Sequence, residues 1–402
     1  MSKIKSNFNL SFNQLFYCKI YINEIEVIPE NILSLNIREW IINLVPRLEL
    51  NLSDDGMLTE IFSLDDECEI RVEIGKNTTD DPIELNFILQ DYNIDVISNN
   101  QTRVIEITGL LNSQLLYTPI YNRPFSNKST KNIIENIANQ CDLTFKSKTN
   151  FRTNDNMTWL QINQSNFDFI NHLSDRSFIN NDCVFTYCDI NNNLNMTSLK
   201  TELNKNSIKA KYNIENYTKN TFDNTEDENT IWFNYYNVTN LSGYYNKINN
   251  YGVNYSYYDL TKFISKSIKQ DNSLLSKKTL KNKNNIGNIS NHYNYVLQNN
   301  VYENYSKAIT QNNYYKMNML SYCLSLNINP LYNIKLFDKL NVLIPAMPNY
   351  NAKDISDIMS GEYIVGGIVY SVAKGNIFQK QLVLFRDGIN ESTYVKKESN
   401  NK

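Results

Sequence analysis

Glu67-Cys68-Glu69-Ile70-Arg71-Val72-Glu73-Ile74 sets Cys68, Ile70, Val72 and Ile74 on one side of an extended chain and Glu67, Glu69, Arg71 and Glu73 on the other. Successive side chains of a strand point to opposite faces, so a period of two predicts a strand with one buried and one wet face. The pattern spreads outward from there. Ile83, Leu85, Phe87 and Leu89 repeat it, as do Ile105 and Ile107 within Val104 to Gly109, each after a break of Asn, Asp, Thr or Ser. With further strands around Leu15 to Ile28 and Ile32 to Leu52, these predict a small antiparallel barrel or sandwich ending near Asn112.

The period then changes. Ser129-Thr130 is an N-cap signal followed by Ile133, Ile134, Ile137, Ala138 and Cys141 at helical spacing, and Ser165 with Asp168 begins a second helix that faces Phe169, Ile170 and Leu173 inward. Strands at Val184 to Cys188 and Leu194 to Met196 flank a polar turn, Asp189 to Asn193. Residues 113–205 therefore read as an α+β insert. Ile231 to Tyr258 reads as strands, after an acidic loop at Glu226 to Glu228. Lys262 to Asn291, with Lys277 to Lys283, reads as a solvated loop rather than a phosphate-binding patch. A helix is expected from Val296 to Tyr314, then strands at Met317 to Leu326, Leu340 to Ile344, Tyr363 to Val372 and Phe378 to Phe385, and a frayed charged tail after Asn390.

The end of the chain echoes its beginning. The strands at Glu69 to Ile74, Ile83 to Leu89 and Val104 to Leu111 have counterparts near Leu340 to Ile344, Tyr363 to Val369 and Leu382 to Gly388, each about 275 positions downstream. A shared offset points to duplication: one continuous barrel and one assembled from two segments flanking an insertion. Three such chains would present six similar modules around one axis, sixfold in approximation and threefold in fact.

The 402 residues carry 39 Lys+Arg against 42 Asp+Glu, a formal charge of −3, which argues against a basic nucleic-acid binder. Asn occupies 68 positions, interleaved with Ile, Leu, Tyr and Phe, which is unlike a low-complexity tract and fits an AT-rich codon bias. Six cysteines without a CxxC read as reduced core thiols, with Cys183 and Cys188 on opposite faces of one strand. The first residues lead into no continuous apolar region and no run of 18 apolar residues occurs, so neither a secretory signal nor a membrane span is expected.

No HExxH, GxSxG, P-loop, GxGxxG after a strand or paired CxxC occurs, so no catalytic, cofactor-binding or metal-ligating residue is assigned. His172 falls on the Ser165-capped helix as a surface residue, and His292 stands alone. Carboxylate pairs are numerous, but Asp54-Asp55, Asp65-Asp66-Glu67 and Asp80-Asp81 read as solvated turns. The tyrosine pairs Tyr235-Tyr236, Tyr244-Tyr245, Tyr257-Tyr258 and Tyr314-Tyr315 offer either a sugar platform or a protein interface. The interface reading is favoured, with half of these rings in the core. Tyr235, Tyr236, Tyr244, Tyr245, Tyr257 and Tyr258 are its candidates.

Four stretches in order carry a likeness. They are Arg38-Glu39-Trp40 through Asp54 to Leu58 and on to Asp66 to Ile70; Asn122-Arg123-Pro124-Phe125; Trp159 through Asn166-Phe167-Asp168-Phe169 to Val184 to Tyr187; and Ser360 to Val365 through Leu384-Phe385-Arg386-Asp387-Gly388-Ile389. This succession resembles the central baseplate hub protein of contractile-tailed phages of the T-even type, related in fold to late-control tail proteins and to the upper half of secretion-system spike proteins. The Lys/Asn-rich loop and the Tyr-rich segment 235–258 depart from it.

The resemblance implies a β-rich α+β chain with two similar antiparallel barrels plus α+β insertions, in a trimeric pseudo-sixfold ring. The division would be 1–112 for the first tube-type barrel, 113–205 for the α+β insert, 206–260 with 316–390 for the second barrel, 261–315 for a loop and helix insertion, and 391–402 for the tail. It further implies a non-enzymatic homotrimer in the virion tail baseplate, assembled in the host cytoplasm. Its partners would be a spike below and a tail tube or tube initiator above, with DNA passing unbound and no membrane insertion or cofactor. A tail-associated peptidoglycan hydrolase and a glycan-binding receptor protein are the rival functions.

Overall fold

Pairing follows alternation along most of the chain. The computed structural model describes residues 14–15, 17–54, 57–65, 68–75, 83–97, 102–212, 230–241, 254–259, 264–269, 294–297, 302, 304–330, 332–346, 355–373 and 377–388. The first array contains β1 (Gln14–Leu15), β2 (Tyr17–Ile22), β3 (Ile25–Glu26), β4 (Ile32–Trp40), β5 (Arg47–Asp54), the short helix α1 (Leu58–Phe62), β6 (Glu69–Gly75), β7 (Ile83–Ile97) and β8 (Thr102–Leu111). Its strands lie in the order β4-β5-β8-β7-β6-β2-β3, every pair antiparallel. Cys68, Ile70, Val72 and Ile74 are buried and Glu69 is exposed, as a period of two demands. They share a core with Ile20, Leu35, Leu50, Phe87 and Ile105. Burying each such aliphatic side chain stabilises by about 1.5–3 kcal/mol. Asp54, expected in a solvated turn, is buried at the end of β5 and accepts from the Leu58 amide at 2.9 Å, because the start of α1 folds over it.

Residues 113–203 supply α2 (Gln114–Tyr117), β9 (Tyr121–Lys128), α3 (Thr130–Gln140), β10 (Thr144–Lys146), β11 (Met157–Gln164), α4 (Asn166–Arg176), β12 (Val184–Cys188), β13 (Asn193–Ser198) and α5 (Leu199–Leu203). Both expected caps form. Ser129 Oγ accepts from the Asn132 amide, and Ser165 Oγ accepts from the Asp168 amide at 3.0 Å while donating to its carboxylate at 2.9 Å. Beneath α3 the buried Asp155 carboxylate accepts from the Thr130 amide, the Thr130 and Thr153 hydroxyls and the Phe178 amide. Those bonds oppose the burial that raises its pKa. Strand β12 is buried on both faces: Cys183, at its start, and Phe185 join one core, Val184 and Cys188 another.

The remaining strands are β14 (Ile208–Tyr212), β15 (Ile231–Asn240), β16 (Asn254–Asp259), β17 (Ile264–Lys269), β18 (Asn294–Leu297), β19 (Tyr322–Ile328), β20 (Lys339–Leu343), β21 (Gly361–Ala373) and β22 (Ile377–Arg386), with helix α6 (Tyr305–Met319) before β19. Six of them close a barrel in the cyclic order β14-β20-β21-β22-β19-β15. This barrel is mixed rather than antiparallel, because β14 enters at the end where β20 begins and lies parallel to both β20 and β15. β16, expected in this barrel, instead pairs with β17 and β18 in a separate three-stranded sheet. Ile264 to Lys269, expected in a loop, is a strand of that sheet.

The helix expected at Val296 to Tyr314 begins nine residues later, at Tyr305, and runs to Met319, where a strand was expected. Tertiary contacts set its position. Asn312 Nδ2 donates to the Ser177 and Asp175 carbonyls at the end of α4, Gln311 donates to the Ile179 carbonyl, and Tyr305 packs on Trp159. The expectations for Glu226 to Glu228, Lys277 to Lys283, His292 and the tail after Asn390 lie outside the described residues.

The echo between the ends is a matched set of irregularities. In the first array β4 pairs with β5 through a bulge between Ile32↔Leu52 and Ser34↔Asn51, and β7 with β8 through one between Leu89↔Gly109 and Asp91↔Thr108. In the second, β15 pairs with β19 through a bulge between Phe233↔Ile328 and Tyr235↔Asn327, and β21 with β22 through one between Val365↔Leu384 and Gly367↔Val383. Leu89 to Val365 and Leu52 to Ile328 are both steps of 276, and Ile32 to Phe233 and Ser34 to Tyr235 are both steps of 201. The difference is the insertion between β15 and β19. A bulge breaks a ladder at one place only, so two coincident bulges mark β4-β5-β8-β7-β6 and β15-β19-β22-β21-β20 as equivalent sheets.

Candidate assembly interface

The two equivalent sheets meet along β21. Its first part, Gly361–Ile364, pairs with β20, and its second, Gly367–Ala373, pairs with β4 from Trp40 to Ser34. The changeover is the bulge at Gly366. A Cβ there would stand 2.1 Å from Phe385 Cδ2, while the Gly366 carbonyl accepts from the Ile41 amide at 2.9 Å. The bulge thus turns one strand from one barrel to the other. β1, one residue before β2, pairs with Ile377–Phe378 of β22, so the far end of the β21–β22 hairpin also completes the first array. Each barrel lends side chains to its neighbour: Ile41 enters the second core, and Val372 and Phe378 enter the first.

The seam carries two buried titratable groups, Glu39 and Lys380. Glu39 lies opposite Ile368 and accepts from the Ile190 amide at 2.6 Å; burial pushes its pKa up to about 7 despite that bond. Lys380 donates to the Tyr332 carbonyl at 2.9 Å and stands 5.3 Å from the Tyr370 ring centre, and burial holds its pKa down to about 8.

Among the described residues, the equivalents of the two seam edges have no partner strand. β6 reaches only as far as Glu69↔Ile88, and β7 continues to Ile97 instead of stopping near Leu89 as expected, so among the described residues Asp91–Ile97 pairs with β8 alone. Among the described residues β14 covers β15 at Ile231–Phe233, and Tyr235–Thr239 pairs with β19 alone. An uncovered strand edge presents backbone donors and acceptors to another chain.

The tyrosine candidates divide among these places. Tyr235 is half exposed on β15, and Tyr236 turns inward, edge-on to Tyr212 at 5.3 Å. Tyr257 and Tyr258 lie on β16, in the separate three-stranded sheet, and Tyr244 and Tyr245 lie outside the described residues. Tyr314 and Tyr315 are both buried, because they sit on a helix enclosed on two sides rather than on a strand. His172 is not on the surface: it is partly buried edge-on to Trp159, and burial followed by Arg176 lowers its pKa to about 4. Among the described residues no group of His, Cys, Asp or Glu could hold a metal ion, and no helix is long and apolar enough to cross a membrane.

No protein-family model and no curated protein matches the sequence. Solved structures do. A tail protein from Neisseria meningitidis MC58 aligns over 94% of this chain and 98% of its own, at 8% identity and a TM-score of 0.55. The 43 kDa tail protein of prophage MuSo2 from Shewanella oneidensis aligns over 93% of this chain and 100% of its own, at 10% identity and a TM-score of 0.55. The chain has the tail-protein fold.

Within that fold, the short motifs noted in the sequence serve as joints. Arg123 donates to Gln161, Gln140 and Asn166 and lies over the Tyr121 and Phe125 rings. Arg386 sits 4.5 Å from both the Tyr322 and Tyr363 ring centres and donates to the Ser360 carbonyl at 3.1 Å. The sequence reading missed the Glu39–Lys380 seam and the overrun of β7. Tyr92, Ile94 and Val96 signal the latter, since they resume a period of two beyond Leu89, shifted by one residue at the bulge.

Proposed function

We propose that the chain is a structural component of a phage tail baseplate, a hub in which three copies close a ring of six barrels. Such a ring would join the sixfold tail tube above to a threefold spike below and enclose part of the DNA channel. The observation that carries this reading is the coincidence of both bulges in the two sheets, since only equivalent modules let three chains imitate six subunits. Shared fold with the two tail proteins supports the virion location. The division proposed is a first barrel within 1–112, an α+β insert within 113–205 and a second barrel from 206–260 and 316–390, with β16 of that range assigned to the insertion. A net charge of −3 per chain suits a conduit that releases phosphate rather than holding it.

The test is the mass of the purified chain. Sedimentation should give three times 47.0 kDa, about 141 kDa. A stable single chain at micromolar concentration, with or without a spike protein, would contradict the ring. Clearing of a cell-wall suspension by the isolated chain would favour the hydrolase alternative.

A further inference from the structure

The seam inside the chain specifies a contact between chains. We infer that Asp91–Ile97 of β7 pairs antiparallel with Tyr235–Leu241 of a neighbouring copy, in the register Asp91↔Leu241 through Ile97↔Tyr235.

The two steps of the repeat, 276 and 201, relate the seam to this contact. Within the chain, Gly367↔Trp40 begins and Ala373↔Ser34 ends the β21–β4 seam. Moving β21 back by 276 gives Asp91 to Ile97, and moving β4 forward by 201 gives Leu241 to Tyr235. Both target segments belong to edges that no described residue pairs with. They cannot meet within one chain, because the first barrel already gives β4, and the second gives β21, to the internal seam. The contact is therefore heterologous, one edge of a copy on the other edge of the next, and such contacts give a ring when the rotation between copies closes and a filament when it does not.

Side chains give an independent reason. Ile368 and Val372 are buried at the seam, facing Glu39 and Leu35, and Tyr370 between them packs against the first core. Their counterparts in the first barrel are Tyr92, Ile94 and Val96, which are apolar yet 45%, 38% and 67% exposed. An alternating apolar face exposed to this degree is costly in water, and it is the face that the seam buries elsewhere in the same molecule. Opposite it would come Val238 and Tyr236, which already pack against the second core. Asp91, Asn93 and Asp95 would face outward beside Leu241, Thr239 and Asn237, leaving both carboxylates in solvent. Seven paired residues span about 24 Å of strand, a main-chain ladder of the kind by which an added strand extends a sheet.

This inference rests on the ring reading, and the experiment separates the two. Full-length chains carrying Asn93→Cys with Thr239→Cys, or Asp95→Cys with Asn237→Cys, are oxidised and run without reductant. Directly opposed positions of an antiparallel pair have Cα atoms about 4.5–5.5 Å apart, within the span of roughly 4.4–6.8 Å that a disulfide bridges. Covalent dimers and trimers are expected from both pairs. None is expected from single variants or from Asp91→Cys with Asn237→Cys, which are four residues out of register. The native thiols provide little background, since all but Cys323 are buried. A particle of three-chain mass that forms no links through either pair, or links only in the shifted pair, overturns this contact and leaves the ring standing. A single-chain mass overturns both. Ile94→Lys, at an exposed position, should weaken assembly at least tenfold with an unchanged unfolding midpoint for the separated chain; full assembly of that variant overturns the contact.

Discussion

Replacing Gly366 by alanine tests whether the bulge turns β21 between barrels as described. A methyl group there would lie 2.1 and 2.5 Å from Phe385 Cδ2 and Cε2 and 3.3 Å from Ile41 Cδ1. Ordinary carbon contacts begin near 3.4 Å, so the ring must retreat by about 1 Å in an interior packed too densely to yield freely. Overpacking of this size costs about 1–3 kcal/mol. Alanine restricts the unfolded chain more than glycine, which returns about 0.4–1 kcal/mol. The net expectation is a loss of about 1–2 kcal/mol, read as a lower urea midpoint with an unchanged slope at fixed chain concentration. Gly367→Ala, whose Cβ would be 3.0 Å from Trp40, should cost less. Because the collision is with one ring, Gly366→Ala and Phe385→Leu should couple, the pair losing at least about 1 kcal/mol less than the sum of the singles. A Gly366→Ala chain as stable as the parent, or strict additivity, would refute the close approach.

Three further outcomes follow from buried polar groups. Glu39 holds its proton up to about pH 7 when folded against an ordinary 4.5, so its contribution to stability falls as pH rises through that window, by at most about 3 kcal/mol; Glu39→Gln should flatten the fall in urea midpoints between pH 5 and 7, and an identical slope in the variant would count against the assignment. Asp155→Ala strands four donors beneath α3 and should cost about 3 kcal/mol, with loss of amide-exchange protection at Thr130 and Phe178; retained protection there would contradict it. Ser165→Ala removes the cap of α4 and should cost about 1 kcal/mol in thermal or urea unfolding, where no change would deny the cap its role.

Local physics made much of this legible. The Glu67 to Ile74 octet set its faces by alternation alone, and Ser129 and Ser165 marked two helix starts because a cap needs only its own neighbours. What stayed hidden depends on distant partners. β14 gives no sign in its five residues of lying parallel to β15 and β20. The register of α6 follows from hydrogen bonds to the end of α4, far away in sequence, and the burial of both Tyr314 and Tyr315 follows from enclosure on two sides. Of the candidate interface, Tyr235 and Tyr236 were visible as an aromatic pair. The edge they belong to emerged only from the paired register, because an open edge is defined by what fails to pair.

The most direct measurement is a three-dimensional map of the assembled particle viewed down its axis. The account predicts a central hole, three chains and six barrels at one radius, with the β7–β15 contact between copies superimposing on the β21–β4 seam after a rotation of about 60°. Barrels at two different radii, or chains that do not close around an axis, would contradict it.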